Sequence, residues 1–248
     1  MSKIEVNSAL IDLYAKQLRL PSFTRYQDVV RHLESDQSYD DFLLAMMKQE
    51  AQSRQESSQR RKTAAAKFPY IKTMDELDMS RFEHLDPAFV NQLATCDFVN
   101  KRQNIVMIGN SGTGKSHLSI ALGLKACMAG MDVKFYTAAN LSNELVEAQE
   151  YKKLIKLEKQ LMKADLLIID EMSYLTFNRH QSELLFKVIS DRAEKQSVII
   201  STNLKFSEWT TMFDNPLMVS ALIDRLTFRS HVLNMNGQSY RNSYHDLL

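Results

Sequence analysis

The stretch GNSGTGKS, residues 109–116, decides how this chain folds. It satisfies the spacing G-x-x-x-x-G-K-[ST] and stands between NIVMIG (104–109), a short β-rich run, and SHLSIALGLKACMAG, whose apolar residues recur at helical spacing. Strand, glycine loop, helix is the context in which such a motif has a physical meaning. Gly112 and Gly114 let the backbone curl so that the N–H groups of the loop, whose other residues are Gly109, Asn110, Ser111 and Thr113, converge on phosphate oxygens, and the following helix N-terminus adds partial positive charge there. In that reading Lys115 reaches the β- and γ-phosphates of a nucleotide and the Ser116 hydroxyl holds Mg²⁺. His117 comes next on the same helix, counted with the nucleotide-contacting residues although packing is its plainer role.

A metal beside a phosphate loop needs an acid at the C-terminal end of a neighbouring strand. LLIID (166–170) supplies Asp170 after four apolar residues, and Glu171 follows it. Asp170 is placed to order the Mg²⁺ shell and Glu171 to accept a proton from an attacking water. A further run, SVIIST (197–202), ends at Asn203, an amide able to orient that water, although asparagine also ends strands by favouring turns. With VKFYTA (133–138) these runs make four strands. Helical periodicity fills the intervals in ANLSNELVEAQEYKKLIKLEKQLMKA and QSELLFKVISDRAEK. The alternation predicts an α/β fold, a parallel sheet covered by helices on both faces.

Upstream the pattern differs. Apolar residues fall at helical spacing in three runs, Leu10 to Leu18, Phe23 to Leu33 and Phe42 to Met47. Pro21 separates the first two, and Ser38 with Asp41 is a start signal for the third. The methionines of SYDDFLLAMM read as core, although exposed methionines also suit partner surfaces. Residues 48–67 are polar around every face, so they form either a solvated connector or a surface for a polyanion. The expected division is a helical domain with a basic connector over 1–67 and an ATPase domain over 68–248.

With 248 residues, 44% of them hydrophobic, the chain can bury a real core. A formal charge of +1 gives no global field for nucleic acid, so such a partner must be argued locally. Local asymmetry exists: Arg54, Arg60, Arg61, Lys62, Lys67 and Lys72 face only Glu56, a stripe able to track phosphates with no demand on base sequence. Cys96 and Cys127 lie far apart and offer neither a zinc knuckle nor a disulfide framework, which suits a reducing, cytoplasmic setting. No long apolar run predicts a signal peptide or a membrane span.

The phosphate loop, LLIIDE and the strand-ending asparagine together resemble the AAA+ superfamily. GTGKSHL, STNLKFSEW and ALIDRL…HVLNMNGQSYR resemble its IstB branch, ATP-binding helpers of insertion-sequence transposases and kin of the DnaC-type helicase loaders. LRLPSFTRY, FPYIKTMDELD and LATCDFVNKRQNIVMIG extend the similarity upstream. The resemblance implies an ATPase with Gly109–Ser116 as Walker A, Asp170 and Glu171 as Walker B, and Asn203 as sensor 1. Arg225, in ALIDRLTFRS (221–230), falls where that clade carries an arginine finger acting on a neighbouring subunit's nucleotide. Arg229, one turn further along, and Arg192 compete for the role. About twenty residues follow IDRL, too few for a helical lid, so no lid-borne sensor arginine is expected; Arg241 matches the family tail. The implied partners are double-stranded DNA, a cognate transposase and further copies of the chain. A helicase loader is the alternative, and a nucleotide-binding interaction protein that hardly hydrolyses ATP is a third class.

Overall fold

A computed structural model describes residues 3–32, 36–82, 84–172, 177–213 and 215–237. Arg241 lies outside them. Chain contacts divide the molecule into two units, Met1–Arg61 and Lys62–Leu248.

The first unit opens with α1 (Lys3–Gln17), which stops ahead of a 3₁₀ turn at Pro21–Arg25 and the short α2 (Tyr26–Arg31). α3 (Tyr39–Ala66) is one unbroken helix of 28 residues, and the division between the units falls inside it. Its start is a reciprocal cap: the Ser38 amide donates to Asp41 Oδ2 at 2.9 Å, and the Asp41 amide donates to Ser38 Oγ at 3.2 Å. Glu50, 5% exposed, ties α3 to the turn at Pro21 by accepting from the Ser22 amide at 3.0 Å and from Arg54 Nε at 2.6 Å. The methionine-rich stretch is split by helix geometry. Met46 is fully buried, whereas Leu43, Leu44 and Met47 are about half exposed.

The second unit begins with the end of α3, since Lys62 pairs with Asp132 at 2.7 Å and Ala66 is buried in the core. Then come α4 (Pro87–Ala94), capped by Asp86, and α5 (Asp97–Asn100). The remaining order is β1 (Asn104–Ile108), α6 (Lys115–Met128), β2 (Val133–Thr137), α7 (Ala138–Glu150), α8 (Leu154–Lys163), β3 (Leu166–Asp170), α9 (Arg179–Ala193), β4 (Ser197–Thr202), α10 (Pro216–Thr227) and β5 (Ser230–Asn234).

All the ladders are parallel, in the order β2-β3-β4-β1-β5. Side chains alternate across a strand, so the apolar runs divide between two cores. Ile105, Phe135, Ile168 and Ile199 face α6 and the 66–99 segment, while Leu167, Ile169, Val198 and Ile200 face α7 to α10. The inner strands β1, β3 and β4 are buried on both sides, which is why they read as continuous apolar runs.

Three details depart from the sequence reading. The chain has a fifth strand, β5, an edge strand whose Val232 is exposed and whose residues are half polar, so its pattern is weak. The long helical interval before β3 is broken after Glu150, where Lys152 adopts φ 56°, into two helices that pack side by side. Arg229 is not a turn further along the helix of Arg225: α10 ends at Thr227, and Arg229 sits in the turn into β5, its carbonyl accepting from the Asn104 amide at 2.8 Å.

Candidate active site

β1 delivers the chain to the glycine loop, and α6 leaves from it. Gly112 and Gly114 take φ 78° and 90°, a region that L side chains rarely enter. Gly114 is the N-cap of α6 and offers no side-chain oxygen to the first-turn amides, which point to the side an anion would approach. Gly109 has another reason to be glycine: a Cβ there would lie 2.4 Å from the Met235 carbonyl oxygen at the end of β5. That end is tied to the loop, with the Met235 amide donating to Ile108 O at 2.7 Å and the Asn110 amide to Asn236 Oδ1 at 3.2 Å. Thr113 Oγ1 donates to Asn110 O at 2.9 Å and closes the turn. The Lys115 ammonium is held by the Gly109 and Asn110 carbonyls, each at 2.6 Å, on the inner side of the loop.

Five of the eight motif residues, Ser111, Gly112, Gly114, Lys115 and Ser116, line a cleft of about 530 Å³ at the C-terminal edge of the sheet. Gly109, Asn110 and Thr113 shape the loop from behind. His117 lines the cleft too, and its Nε2 lies 2.8 Å from the Thr73 carbonyl. Across the cleft stand Asp170, Glu171 and Asn203. The β3–β4 pairing brings these together, because adjacent parallel strands end side by side. Below Asn203, Trp209 is fully buried edge-to-face with Phe206 and donates from Nε1 to Leu204 O at 3.4 Å, which anchors the loop after β4.

Several cleft residues went unread in the sequence. Pro69 and Tyr70 form one wall together with Lys72, which the sequence grouped with the basic stripe and which pairs with Glu76 at 3.9 Å; Phe135 and Thr137 of β2 form another, and Ser201 lies between the acids and Asn203. The signal for Ser201 was present: a hydroxyl inside a strand otherwise reading Val, Ile, Ile is a buried polar group that needs partners.

The three competing arginines separate clearly. Arg192 is fully buried and cannot meet a neighbour; its guanidinium donates to the Leu161 carbonyl and, at 3.0 Å, to those of Ala164 and Ser197, capping the end of α8. Burial pulls its pKa down to about 10, against the upward pull of Asp165. Arg229 is exposed in its turn, over the ring of Phe228. Arg225 projects from the last turn of α10, where Leu226 O accepts from the side chain of Asn104, the first residue of β1. The glycine loop follows the last residue of β1, roughly 13 Å away along the strand. Arg225 therefore stands at the opposite edge of the sheet from its own cleft, with Glu194 at 3.1 Å.

The basic stripe is less free than its sequence implies. Arg54 is bound to Glu50 and to the Arg19 carbonyl, Arg60 pairs with Glu56 at 3.5 Å, and Lys62 is held by Asp132. Arg61 and Lys67 are exposed, Lys67 at φ 61° where α3 ends.

This donor set fits a nucleoside triphosphate with a hard cation: open amides and an ammonium for phosphate oxygens, a hydroxyl and a carboxylate for the metal. Comparisons with known proteins agree. Over residues 13–246 the chain matches the family model described as IstB-like ATP binding protein. It is 35% identical, over 82% of its length and 77% of the relative's, to the ATP-binding protein of insertion sequence IS21 from Pseudomonas aeruginosa. It is 33% identical, over 92% of both chains, to that of insertion sequence IS5376 from Geobacillus stearothermophilus. Among solved structures, AMPPCP-bound DnaA from Aquifex aeolicus superposes with TM-score 0.55 at 18% identity, covering 66% of this chain and 49% of that one. The DnaC helicase loader superposes with TM-score 0.51 at 17% identity, covering 72% and 99%. This chain spans about half the length of DnaA, and both structural likenesses speak for the fold alone. Family match, sheet order and phosphate loop together place the chain in the IstB-like ATP-binding protein family, as an ATPase of the AAA+ fold.

Proposed function

We propose that this protein hydrolyses ATP at the cleft between the glycine loop and β3, assembles on double-stranded DNA when ATP is bound, and thereby presents target DNA to a transposase. The observation that carries this reading is the separation of Arg225 from the cleft. Lys115, Asp170, Glu171 and Asn203 share one cavity, while the arginine that would complete the charge on the γ-phosphoryl group sits at the far edge. A second copy packed head to tail supplies what the first lacks.

In this mechanism the loop amides and Lys115 hold the β- and γ-phosphates. Ser116 and Asp170 would hold Mg²⁺, which neutralises charge on the phosphate oxygens. Asn203 orients a water in line with the β,γ-bridging oxygen, and Glu171 takes its proton as the oxygen attacks phosphorus. The bridging P–O bond breaks, and ADP and phosphate leave. Arg225 of the next copy stabilises the charge developing on the transferred group, an effect on the order of 10³-fold or more in rate where such fingers act.

DNA contact is proposed for Arg61 and Lys67, both exposed, with Arg54, Arg60 and Lys62 available once their internal partners are exchanged for phosphate. The insertion-sequence relatives support transposition as the setting. The test is to trap the ATP state with Glu171→Gln and to measure assembly on duplex and single-stranded DNA by sedimentation. Oligomers that need ATP and prefer duplex support the proposal. Assembly indifferent to ATP overturns it, and a clear preference for single strands points to a helicase loader instead.

A further inference from the structure

Ser201 is 2% exposed and sits on β4, two residues before Asn203. Its hydroxyl does two things at once. It donates to Asp170 Oδ1, and it accepts from the Glu171 amide at 3.1 Å. Glu171 at this point takes φ 58°, a left-handed conformation that a non-glycine residue holds only where its surroundings fix it. The contacts fall just past the end of the β3–β4 ladder at Ile169 and Ile200; Ser201 still pairs with Met107 of β1 and Asp170 with Thr137 of β2, so the two groups are held while Glu171 lies outside every ladder.

Building on the ATPase reading above, we propose that Ser201 is a positioning residue for hydrolysis: its single hydroxyl fixes the rotation of the Asp170 carboxyl and holds the Glu171 backbone in the left-handed turn that aims the proton acceptor into the cleft. One carboxylate oxygen of Asp170 is committed to Ser201, so the plane of the carboxyl is set before a cation arrives. Ser201, near the end of β4, and Asn203, just past it, both line the cleft. The strand that leads into the water-orienting amide thus also carries the group that aims the base. A displacement of β4 would move both together, and misplacement of about 1 Å costs on the order of 10²-fold in rate.

Three variants of the full chain, Ser201→Ala, Ser201→Cys and Ser201→Thr, test this. The first readout uses the nucleotide-free protein. Removing the hydroxyl should speed amide hydrogen exchange at Glu171 about ten-fold, while the Met172 amide, which donates to the Ser201 main-chain oxygen at 2.9 Å, keeps its protection. A merely structural role would move both amides. The second readout is kinetic. Ser201→Ala should lower kcat by roughly ten- to a hundred-fold and raise the Mg²⁺ concentration for half-maximal rate, with the Kd for ATP in EDTA unchanged. Ser201→Thr, which keeps the hydroxyl, should recover most of kcat, and Ser201→Cys, a weaker donor, should fall between and serve if the alanine variant does not fold. Unchanged kcat in Ser201→Ala overturns the proposal, as does an equal loss at Glu171, Met172 and ATP affinity. Wild-type protein and Glu171→Gln run alongside: absence of hydrolysis in the wild type overturns the ATPase reading itself, and the exchange at Glu171 still decides whether Ser201 holds that turn.

Discussion

Arg225 Nε lies 3.1 Å from Glu194 Oε1, an ion pair at the N-terminal edge of the sheet with both side chains well exposed. Such pairs contribute about 0–1 kcal/mol, so Arg225→Ala should leave thermal stability nearly unchanged. It should retain ATP binding and lose DNA-stimulated turnover. Mixing it with Lys115→Ala, which keeps the arginine but cannot hold nucleotide, should restore part of the rate, measured as phosphate release. Normal hydrolysis by Arg225→Ala alone would move the finger elsewhere.

Gly109→Ala separates two kinds of glycine in one motif. Its methyl meets the Met235 carbonyl, which is backbone and cannot step aside. The expected cost is about 1–3 kcal/mol, visible as a lower Tm without nucleotide. Gly112→Ala, at φ 78° and lining the cleft, should weaken ATP binding as well as strain the loop.

Acid should loosen the first unit through Glu50. Burial pushes its carboxyl up, but the hydrogen bonds from Arg54 and the Ser22 amide outweigh this and hold it below its ordinary value of 4.5. A depressed carboxylate stabilises the fold above its unfolded pKa and ceases to do so as pH falls through the folded one. Chemical denaturation followed from pH 7 to below 4 should show a stability loss that Glu50→Gln lacks. Identical profiles for the two proteins would count against this role.

The thiols should be silent in the native state. Burial raises both Cys96 and Cys127 to about 11, so at pH 8 roughly one in a thousand is thiolate. Neither is solvent-accessible beyond 1%. Alkylation by iodoacetamide, read by mass spectrometry, should therefore follow global unfolding; labelling at native rates would show local opening, at α6 for Cys127 and at the junction of α4 and α5 for Cys96.

The phosphate loop and β3 were legible because their chemistry is local: eight residues at fixed spacing, and four apolar residues ending in two acids. Asn203 was legible once β4 was expected beside β3. Most of what escaped depended on distant parts of the chain. Arg192 looks like any helix-end cation until the carbonyls of Leu161, Ala164 and Ser197 surround it. The polar 48–67 run lacks amphipathic periodicity and yet continues as helix to Ala66, because side-chain pairs such as Gln52–Glu56 and Arg60–Glu56 support an exposed helix without an apolar stripe. Ser201 acts on residues thirty positions away, a link that no local pattern encodes.

β5 has a consequence for traffic between sites. It is five residues long, begins in the turn that follows the helix of Arg225, and ends where Met235 and Asn236 clasp the glycine loop. The cleft and the turn after the helix of Arg225 are thus joined by one short rod. In the head-to-tail assembly proposed above the wiring would have a direction, each subunit reading its own nucleotide at one end and reporting at the other, so an open row would begin with an arginine that serves no one and finish with a nucleotide that no arginine reaches.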